Sequence, residues 1–362
     1  MKQILIDGTP ISCQMDGLTQ YILNVVLHLN MDIAQFTLLL RPEQCPAHYW
    51  TLLRASKLII HEENIAPIGP TRNIQFARYM RKHPYFDAAF IPSNQYIYLR
   101  IPTLYVIHDL IYELYPEQLG KYSQFKRFYL HHLVKRGLTQ AKRIITVSNH
   151  TRKEVMRCYG EYFNNKIDVI HEGWEHLLHH PTPAQPASPP PFEHYLLYIG
   201  SSRGHKNLTR LITAIHSTHL PENWGLVLVG DMNHLPSLIT QTIQTNPQIH
   251  CTGYVTEEQK VWLYQHASAV IIPSLSEGFG LPVLEALFYN KPLLLSNQAA
   301  LPEIAGPTAT YFNPFDICEI AETIQRHIRS NPCVNTTLYQ NRLAQFSWRT
   351  TAHKIGQILT TL

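Results

Sequence analysis

The sequence predicts an α/β fold of two doubly wound domains that face each other across a cleft. Short apolar runs with the composition of buried parallel strands alternate with helical patterns along almost the whole chain. The alternation is interrupted once, by PTPAQPASPPP at 181–191, and then restarts. A length of 362 residues also favours two domains over one. We therefore expect a first domain at 1–180, a proline-rich linker at 181–191 and a second domain at 192–345.

The first half contains seven apolar runs that are typical of strands, separated by helical patterns. The strand-like runs are KQILID, FTLLLR, KLIIH, DAAFIP, TLYVIHD, RIITVS and KIDVIH. The helical patterns cover 17–30, 71–82, 121–141 and 149–159. Repetition of strand and helix indicates a Rossmann-like sheet with helices on both faces.

The second half repeats this pattern after the linker. Its strand-like runs include HYLLYIG, GLVLVGD, AVIIPS and PLLLSN. The linker cannot join a sheet or a helix interior, because its prolines lack backbone N–H groups. Ligands of doubly wound sheets bind at the carboxyl ends of the strands, so we expect the functional site there.

Composition and charge exclude several classes of protein. The chain has no apolar stretch long enough to cross a bilayer, and MKQILIDG reads as a strand rather than a secretory leader, which predicts a cytoplasmic protein. A net charge of +4 suits an anionic small ligand and is too small to predict nucleic-acid binding. Because the cysteines are scattered, the paired histidines are adjacent and no Asp-x-Asp occurs, we expect no metal and no cofactor.

The most informative segment is AVIIPSLSEGFGLPVLEALFYNKPLLLSN at 269–297. A strand that ends at Pro273 is followed by a small loop with glycines, and a helix begins near Leu281 with Pro282 in its first turn. Such a loop binds anions, because backbone N–H groups and the positive end of the helix dipole point at it. The sequence therefore predicts a phosphate site at this turn.

Two carboxylates flank the turn, Glu277 in the loop and Glu285 inside the helix. A carboxylate accepts hydrogen bonds from vicinal hydroxyls such as those of a ribose or a hexose. From these residues alone a second interpretation is as good: Glu277 caps the helix, and Glu285 is a solvated helix residue.

The run EGFGLPVLEAL at 277–287, with the following strand and LPEIAG at 301–306, resembles the signature of glycosyltransferase family 4. Members of that family are retaining enzymes with the two-domain GT-B fold. The resemblance implies that Glu277 binds hydroxyls of the donor sugar and that Glu285 binds the nucleotide ribose. It also assigns a set of residues at the turn to the diphosphate or the sugar: Gly278, Phe279, Gly280 and Leu281.

A second stretch, YIGSSRGHKNLTRLITAI at 198–215, resembles the basic loop of the same family. Lys206 points toward the diphosphate in that comparison, where a cation offsets the charge that builds on the leaving nucleotide. The family also keeps an arginine here, but Arg203 stands closer to the lysine than in many members. The alternative for both residues is a solvated basic turn.

The stretch CTGYVTEEQKVWLYQHA at 251–267 resembles the base-binding segment of the family. The resemblance places the backbone of Tyr254 and Val255 against the nucleotide base. Thr256 followed by Gln259 predicts a capping box at the start of a helix. Such a helix is well capped whatever it binds.

Two positions in the first half also match the family. His108 follows a predicted strand in VIHDLIYELYP, and the resemblance places it near the terminal hydroxymethyl group of the donor sugar, although a core histidine at a strand end is the alternative. Gly17 follows Asp16 where the family usually has a glycine pair for phosphate approach, so only Gly17 carries over. In VIHEGWEHL, Gly173-Trp174 resembles members that act in surface-polysaccharide assembly, some of them mannosyltransferases.

Two helices bear on partners and on domain organisation. The segment 121–143 is basic and carries aromatic and aliphatic residues, which suits contact with anionic lipid at the inner membrane face, whereas a solvated basic face is the alternative. The C-terminal helix, about 346–362, is expected from the resemblance to pack back on the first domain.

Together these patterns predict a metal-independent, retaining glycosyltransferase that moves a hexose from a nucleotide-sugar to a glycan or lipid-linked acceptor held by the first domain. By analogy the donor is GDP-mannose. No N-terminal carboxylate is identifiable as nucleophile or base, and the resemblance implies front-face attack, with the departing diphosphate taking the acceptor's proton. Three alternatives stay open: a nucleotide-sugar epimerase, a pyridoxal-phosphate phosphorylase, and a non-catalytic nucleotide-sugar-binding protein.

Overall fold

The computed structural model describes residues 1–13, 15–94, 96–120, 123–179, 182–218 and 220–362. The chain forms two compact units. The first consists of Met1–Gly173 and Ser347–Leu362, and the second of Trp174–Phe346. The described residues of the proline-rich segment, 182–191, therefore belong to the second unit.

Among the described residues, the first unit contains a sheet of seven parallel strands in the order β3-β2-β1-β4-β5-β6-β7. The strands are β1 (Gln3–Asp7), β2 (Gln35–Leu40), β3 (Ile59–Glu62), β4 (Ala88–Ile91), β5 (Thr103–Ile107), β6 (Arg143–Thr146) and β7 (Ile167–Val169). The order reverses at β1, where Ile4 lies opposite Phe36 of β2 and Ala88 of β4. Residues of β4 are buried throughout, because helices cover both faces of such a sheet.

The helices of this unit are α1 (Gly17–His28), α2 (Ala47–Ala55), α3 (Pro70–Lys82), α4 (Ile111–Leu114), α5 (Ser123–Gln140), α6 (Asn149–Tyr159) and α14 (Trp348–Thr361). The Asp16 side chain caps α1 by accepting from the Thr19 amide at 2.8 Å. Helix α14 packs on α1, and the fully buried ring of Trp348 meets the Tyr21 ring edge-on at 5.8 Å between centroids. The C-terminal helix is thus part of the first unit.

The described part of the second unit contains a parallel sheet of six strands in the order β10-β9-β8-β11-β12-β13. The strands are β8 (His194–Ile199), β9 (Trp224–Val229), β10 (Ile249–Gly253), β11 (Ala269–Ile272), β12 (Leu293–Ser296) and β13 (Ala309–Phe312). The helices are α7 (Leu208–Ser217), α8 (Ser237–Thr245), α9 (Glu257–His266), α10 (Leu281–Phe288), α11 (Leu301–Ala305), α12 (Ile317–Ser330) and α13 (Thr336–Leu343).

These two parallel sheets confirm the predicted α/β class, and most elements lie where the apolar patterns placed them. The predicted helix at 149–159 matches α6, and the one at 17–30 ends two residues early, at His28. The apolar patterns did not predict strand β13, which has only four residues, two of them Thr310 and Tyr311. Its pairing with β12 makes it a strand. In the described residues no helix is both long and apolar enough to span a membrane.

Candidate functional site

The predicted phosphate turn connects β11 to α10 in the second unit. Gly280 adopts φ +99° at the helix N-terminus, a left-handed conformation that glycine tolerates without strain. A Cβ at this position would lie 3.0 Å from Leu301 Cδ2, so the leucine side chain would have to shift to admit it. The turn is tied to the neighbouring basic loop, because the Leu275 amide donates to the His205 carbonyl at 2.7 Å.

Lys206 and Glu277 form an ion pair between these two loops. Lys206 Nζ donates to Glu277 Oε1 at 2.7 Å, and Ser274 Oγ donates to the same oxygen at 2.7 Å. The two charged side chains are largely buried, with 22% and 14% of their surface exposed. The described residues place no donor on Oε2, so one carboxylate oxygen remains to accept a hydroxyl of a ligand.

The ion pair fixes the charge of Glu277. Burial alone would raise the pKa of this carboxyl, but the charge and hydrogen bond of Lys206, helped by Ser274, bring the pKa below its usual range. The neighbouring His205 is also buried, and burial together with the Lys206 charge lowers its pKa to about 4. At neutral pH the turn therefore presents a carboxylate, an ammonium and a neutral imidazole.

Asn207 holds the basic loop against the turn. Its backbone is left-handed, with φ +59°, which asparagine tolerates better than most residues. Its amide nitrogen Nδ2 donates to the carbonyls of Pro273, at 3.0 Å, and Pro314, at 2.8 Å. These contacts explain locally why Lys206 reaches Glu277.

Arg203 occupies a different position from Lys206. It precedes the short 3₁₀ turn Gly204–Lys206, and its carbonyl accepts the Lys206 amide at 2.8 Å. Its side chain is exposed, and no hydrogen bond or ion pair joins it to Glu277 in the described residues. Its predicted contact with a diphosphate stays a prediction.

The predicted ribose carboxylate, Glu285, lies inside α10 and is held by α9. Tyr264 Oη donates to Oε2 at 2.5 Å, and Lys260 Nζ lies 3.3 Å from Oε1. Glu285 is only 7% exposed, so the solvated-helix interpretation is excluded. Burial alone would raise the pKa of Glu285, but Lys260 first and Tyr264 next lower it.

The remaining residues predicted to bind the donor lie in the second unit, in the turn before α10 and in the segment between β10 and α9. Gly278 and Leu281 lie on either side of Phe279 and Gly280 in the turn; Phe279 is buried and meets Phe346 edge-on at 5.8 Å. Tyr254 and Val255 lie between β10 and α9, and the Tyr254 side chain is 74% exposed. The capping box of Thr256 and Gln259 is confirmed.

In the first unit, His108 follows β5 and is surrounded by protein acceptors. Its Nδ1 lies 3.6 Å from Glu172 Oε1, and its Nε2 lies 3.0 Å from the Pro92 carbonyl. The ring also packs edge-on against Tyr21 at 4.6 Å. Burial alone would lower the pKa of His108, but the Glu172 hydrogen bond and charge, together with the Pro92 carbonyl, raise it. Burial also raises the pKa of Glu172, against the opposing hydrogen bond and charge of His108. Both His108 nitrogens face acceptors, so the ring can donate to both of them when it is protonated.

Gly17 is the first residue of α1, as predicted, and the loop before it is anchored by a buried ion pair. Arg72 and Asp7 are both buried and form that pair at the end of β1. Thr9 Oγ1 donates to Asp7 Oδ1 at 2.7 Å, and Arg41 Nε donates to the Thr9 carbonyl at 2.7 Å. This network holds the chain at Thr9, directly after β1.

Sequence reasoning missed four side chains that contact the predicted residues: Ser274, Lys260, Tyr264 and Glu172. Ser274 and Glu172 each follow a strand of a parallel sheet. Ligands of such sheets bind at the carboxyl ends of the strands, so this location was the signal that could have identified both residues. Lys260 and Tyr264 are spaced at i and i+4 on α9, which predicts a shared face but not the partner of that face. In the described residues no group of three or more His, Cys, Asp or Glu side chains is arranged to hold a metal ion.

Two family models together match most of the chain. The model described as Glycosyl transferases group 1 matches residues 185–343, and the model described as Glycosyltransferase Family 4 matches residues 15–176.

Curated relatives share about a quarter of their residues with this chain over the matched regions. The O-antigen chain mannosyltransferase B of Escherichia coli is 27% identical over 280 residues, which is 73% of this chain and 72% of the relative. The serotype-specific mannosyltransferase WbdA of Escherichia coli is 27% identical over 269 residues, 69% of this chain. The match covers only 32% of the length of WbdA.

Solved structures share the fold at low sequence identity. Sucrose-phosphate synthase from Thermosynechococcus elongatus superposes with a TM-score of 0.73 at 17% identity, covering 99% of this chain and 98% of that one. Anabaena HepE in complex with UDP-glucose superposes with a TM-score of 0.69 at 16% identity over 100% of both chains.

Proposed function

We propose that this chain, which belongs to the GT-B glycosyltransferases of group 1 and family 4, transfers a hexose from a nucleotide-sugar to a glycan or lipid-linked acceptor. The observation that carries the proposal is the ion pair of Lys206 and Glu277 at the turn before α10. It combines a cation for a diphosphate with a carboxylate oxygen for a sugar hydroxyl.

The donor in this proposal lies on the second unit. Its diphosphate rests at the α10 N-terminus, where the helix dipole favours negative charge. An ammonium carries three donor hydrogens, so Lys206 holds Glu277 with one and retains two for diphosphate oxygens. Glu277 Oε2 accepts from a sugar hydroxyl, and Glu285 accepts from the ribose.

The chemical step that we propose proceeds without a metal and with retention of anomeric configuration. As the glycosidic bond breaks, the diphosphate gains negative charge, and Lys206 together with the helix end stabilises it. The departing diphosphate takes the proton of the acceptor hydroxyl that attacks the same face of the sugar. Arg203, Gly17 and His108 are assigned to this donor by resemblance alone, and their roles stay predictions.

The proposed donor is GDP-mannose, and the proposed setting is the assembly of a surface polysaccharide. The relatives are named as an O-antigen chain mannosyltransferase and a serotype-specific mannosyltransferase, which supports mannose as the sugar and polysaccharide assembly as the setting. GDP as the nucleotide and the turn at Gly173-Trp174 enter by analogy with the family. The alternatives are a nucleotide-sugar epimerase and a non-catalytic binding protein. A nucleotide-sugar site at this turn would suit either of them as well as a transferase.

The test incubates purified protein with GDP-mannose, UDP-glucose and a polysaccharide or lipid-linked acceptor, in the presence of EDTA. We expect mannose to move from GDP-mannose to the acceptor. NMR of the product should show that the anomeric configuration of the donor is retained. A new sugar nucleotide formed without acceptor identifies an epimerase. Binding without any turnover identifies a sensor and overturns the proposal.

We also propose that the exposed part of α5 contacts anionic lipid at the inner membrane face. Phe128 is 70% exposed and Tyr129 44% exposed, and the exposed basic residues Lys126, Lys135 and Arg136 lie on the same helix. Aromatic side chains with neighbouring cations suit a negatively charged lipid surface. Sedimentation with phosphatidylglycerol vesicles at low salt tests this; equal sedimentation of wild type and Phe128→Ser overturns it.

A further inference from the structure

The carboxylate of Glu285 is held by one face of α9. Lys260 and Tyr264 are one helical turn apart, and both side chains point to Glu285 on α10. Tyr264 is fully buried and its ring stacks on Tyr289 at 5.2 Å between centroids. The orientation of the carboxylate is therefore set by a protein donor on each oxygen rather than by solvent.

Charge at this cluster is balanced so that Glu285 stays ionised. Lys260 bridges two carboxylates, with Nζ 2.8 Å from Glu257 and 3.3 Å from Glu285. An ionised carboxylate only accepts hydrogen bonds, and each of its oxygens has two lone-pair directions. One direction on each oxygen is used by α9, so one on each remains for two hydroxyl donors.

A vicinal diol presents two such donors at the spacing of the two carboxylate oxygens. From this geometry we infer that Tyr264 and Lys260 are positioning residues, which aim Glu285 at the 2′- and 3′-hydroxyls of the nucleotide ribose. The inference rests on the proposed function and deepens it. The same helix, α9, begins just after Tyr254 and Val255, the segment predicted to face the base. Helix α9 would therefore contribute to both the base site and the ribose site.

The experiment measures the affinity of Tyr264→Phe for GDP and for 2′,3′-dideoxy-GDP by isothermal titration, with UDP and its dideoxy analogue in parallel. We expect the variant to bind the natural diphosphate about five- to tenfold more weakly. With the dideoxy analogue we expect wild type and variant to bind equally, because the hydroxyls that Glu285 receives are absent. Turnover at saturating donor should change less than twofold.

Tyr195→Phe is the matched control. Tyr195 is also buried, and its hydroxyl donates to the Leu263 carbonyl of α9 at 2.7 Å, without contact to Glu285. We expect this variant to lose stability as Tyr264→Phe does and to bind GDP as wild type does. Equal weakening of natural and dideoxy ligands by Tyr264→Phe, or no weakening, overturns the inference.

A second variant tests the part played by Lys260. The charged and titratable groups that face Glu285 are Lys260 and Tyr264 on α9, His176 before the second sheet and Tyr289 after α10. In Lys260→Met the opposing ammonium is gone, so burial raises the pKa of Glu285. We expect GDP binding to become at least fivefold weaker at pH 5.5 than at pH 8, whereas wild type stays within twofold. A flat profile in the variant overturns the role of Lys260.

The outcomes separate this inference from the proposed function. Wild type that binds neither diphosphate overturns the proposed function, and the inference with it. Wild type that binds GDP or UDP and transfers sugar, but does not distinguish the dideoxy analogue, leaves the transferase standing and overturns the inference alone.

Discussion

Lys206 Nζ lies 2.7 Å from Glu277 Oε1, although the two residues are 71 positions apart in the chain. Each residue follows a strand of the second sheet, Lys206 after β8 and Glu277 after β11, and these strands are neighbours. The carboxyl ends of neighbouring parallel strands lie at one edge of a sheet, so this contact is a consequence of strand order. The pair joins the two sequence motifs into one site.

Replacement of Lys206 by alanine should lower kcat far more than donor affinity. Its remaining donors act on charge that develops as the glycosidic bond breaks, and loss of one such donor costs about 10²–10³ in turnover. Initial rates at saturating donor, with a donor Kd from titration, measure both quantities per folded enzyme.

The control for Lys206→Ala is Lys291→Ala. Lys291 lies in the same unit, and its Nζ donates to the Gln265 carbonyl at 2.7 Å rather than to the turn. We expect near-normal turnover from this control. An unchanged kcat in folded Lys206→Ala contradicts the role proposed for the ammonium.

Glu172→Gln should move the alkaline limb of the pH–activity profile to lower pH. In the native pair, Glu172 raises the pKa of His108 against the opposing effect of burial. An amide keeps the shape but loses the charge, so burial dominates and the imidazolium loses its proton at lower pH. The profile of kcat/KM between pH 5.5 and 9 is the measurement.

Asp168→Asn serves as the comparison, since Asp168 is a carboxylate of β7 that pairs with Arg143 away from His108. Its profile should match that of wild type. Were Glu172→Gln to keep the native alkaline limb, the effect of Glu172 on the pKa of His108 would not govern activity.

Gly280→Ala should cost stability and donor affinity together. An alanine at φ +99° costs about 1–2 kcal/mol, and its Cβ would press on Leu301 Cδ2 at 3.0 Å, next to the α10 N-terminus. Gly69 in the first unit also has a positive φ, +104°, with nothing within 4 Å of a Cβ, so Gly69→Ala strains the backbone without a clash and away from this turn. Both variants should melt earlier, and only Gly280→Ala should bind GDP more weakly. Equal GDP affinity in the two variants contradicts a diphosphate position at this turn.

Acid should destabilise the protein through His205. Burial, with the charge of Lys206 in addition, lowers its pKa from 6.5 to about 4, so the unfolded chain binds a proton that the folded chain refuses between these values. Stability is therefore complete above pH 6.5 and falls as the pH drops, by about 2 kcal/mol between pH 7.5 and 5 from this residue.

Urea unfolding at several pH values measures this loss. In His205→Asn the free energy of unfolding should depend less on pH, by roughly the same 2 kcal/mol. His216→Asn, which changes an exposed histidine of α7, should keep the native dependence. The same dependence in all three proteins would exclude His205 as the source.

Local features of the second half could be predicted from the sequence. The burial of Leu208, Leu211 and Ile212 on one side of α7 follows from helical spacing, and the start of α10 follows from Gly280 and Pro282. These features depend on residues within one or two turns of each other. Strand β13 was missed because its few residues carry no apolar pattern of their own, and its pairing with β12 makes it a strand.

The sequence by itself determined the α/β class, the strand–turn–helix at 269–288 and the identity of the charged residues near it, because periodicity, glycine and proline act locally. Only the tertiary structure decided which of these residues meet. Strand order brings Lys206 to Glu277, and helix packing brings Tyr264 and Lys260 to Glu285. The Glu172 carboxylate likewise reaches His108 from a distant strand end. Such contacts join distant parts of the chain, so the charge and orientation of each group depend on the packed fold.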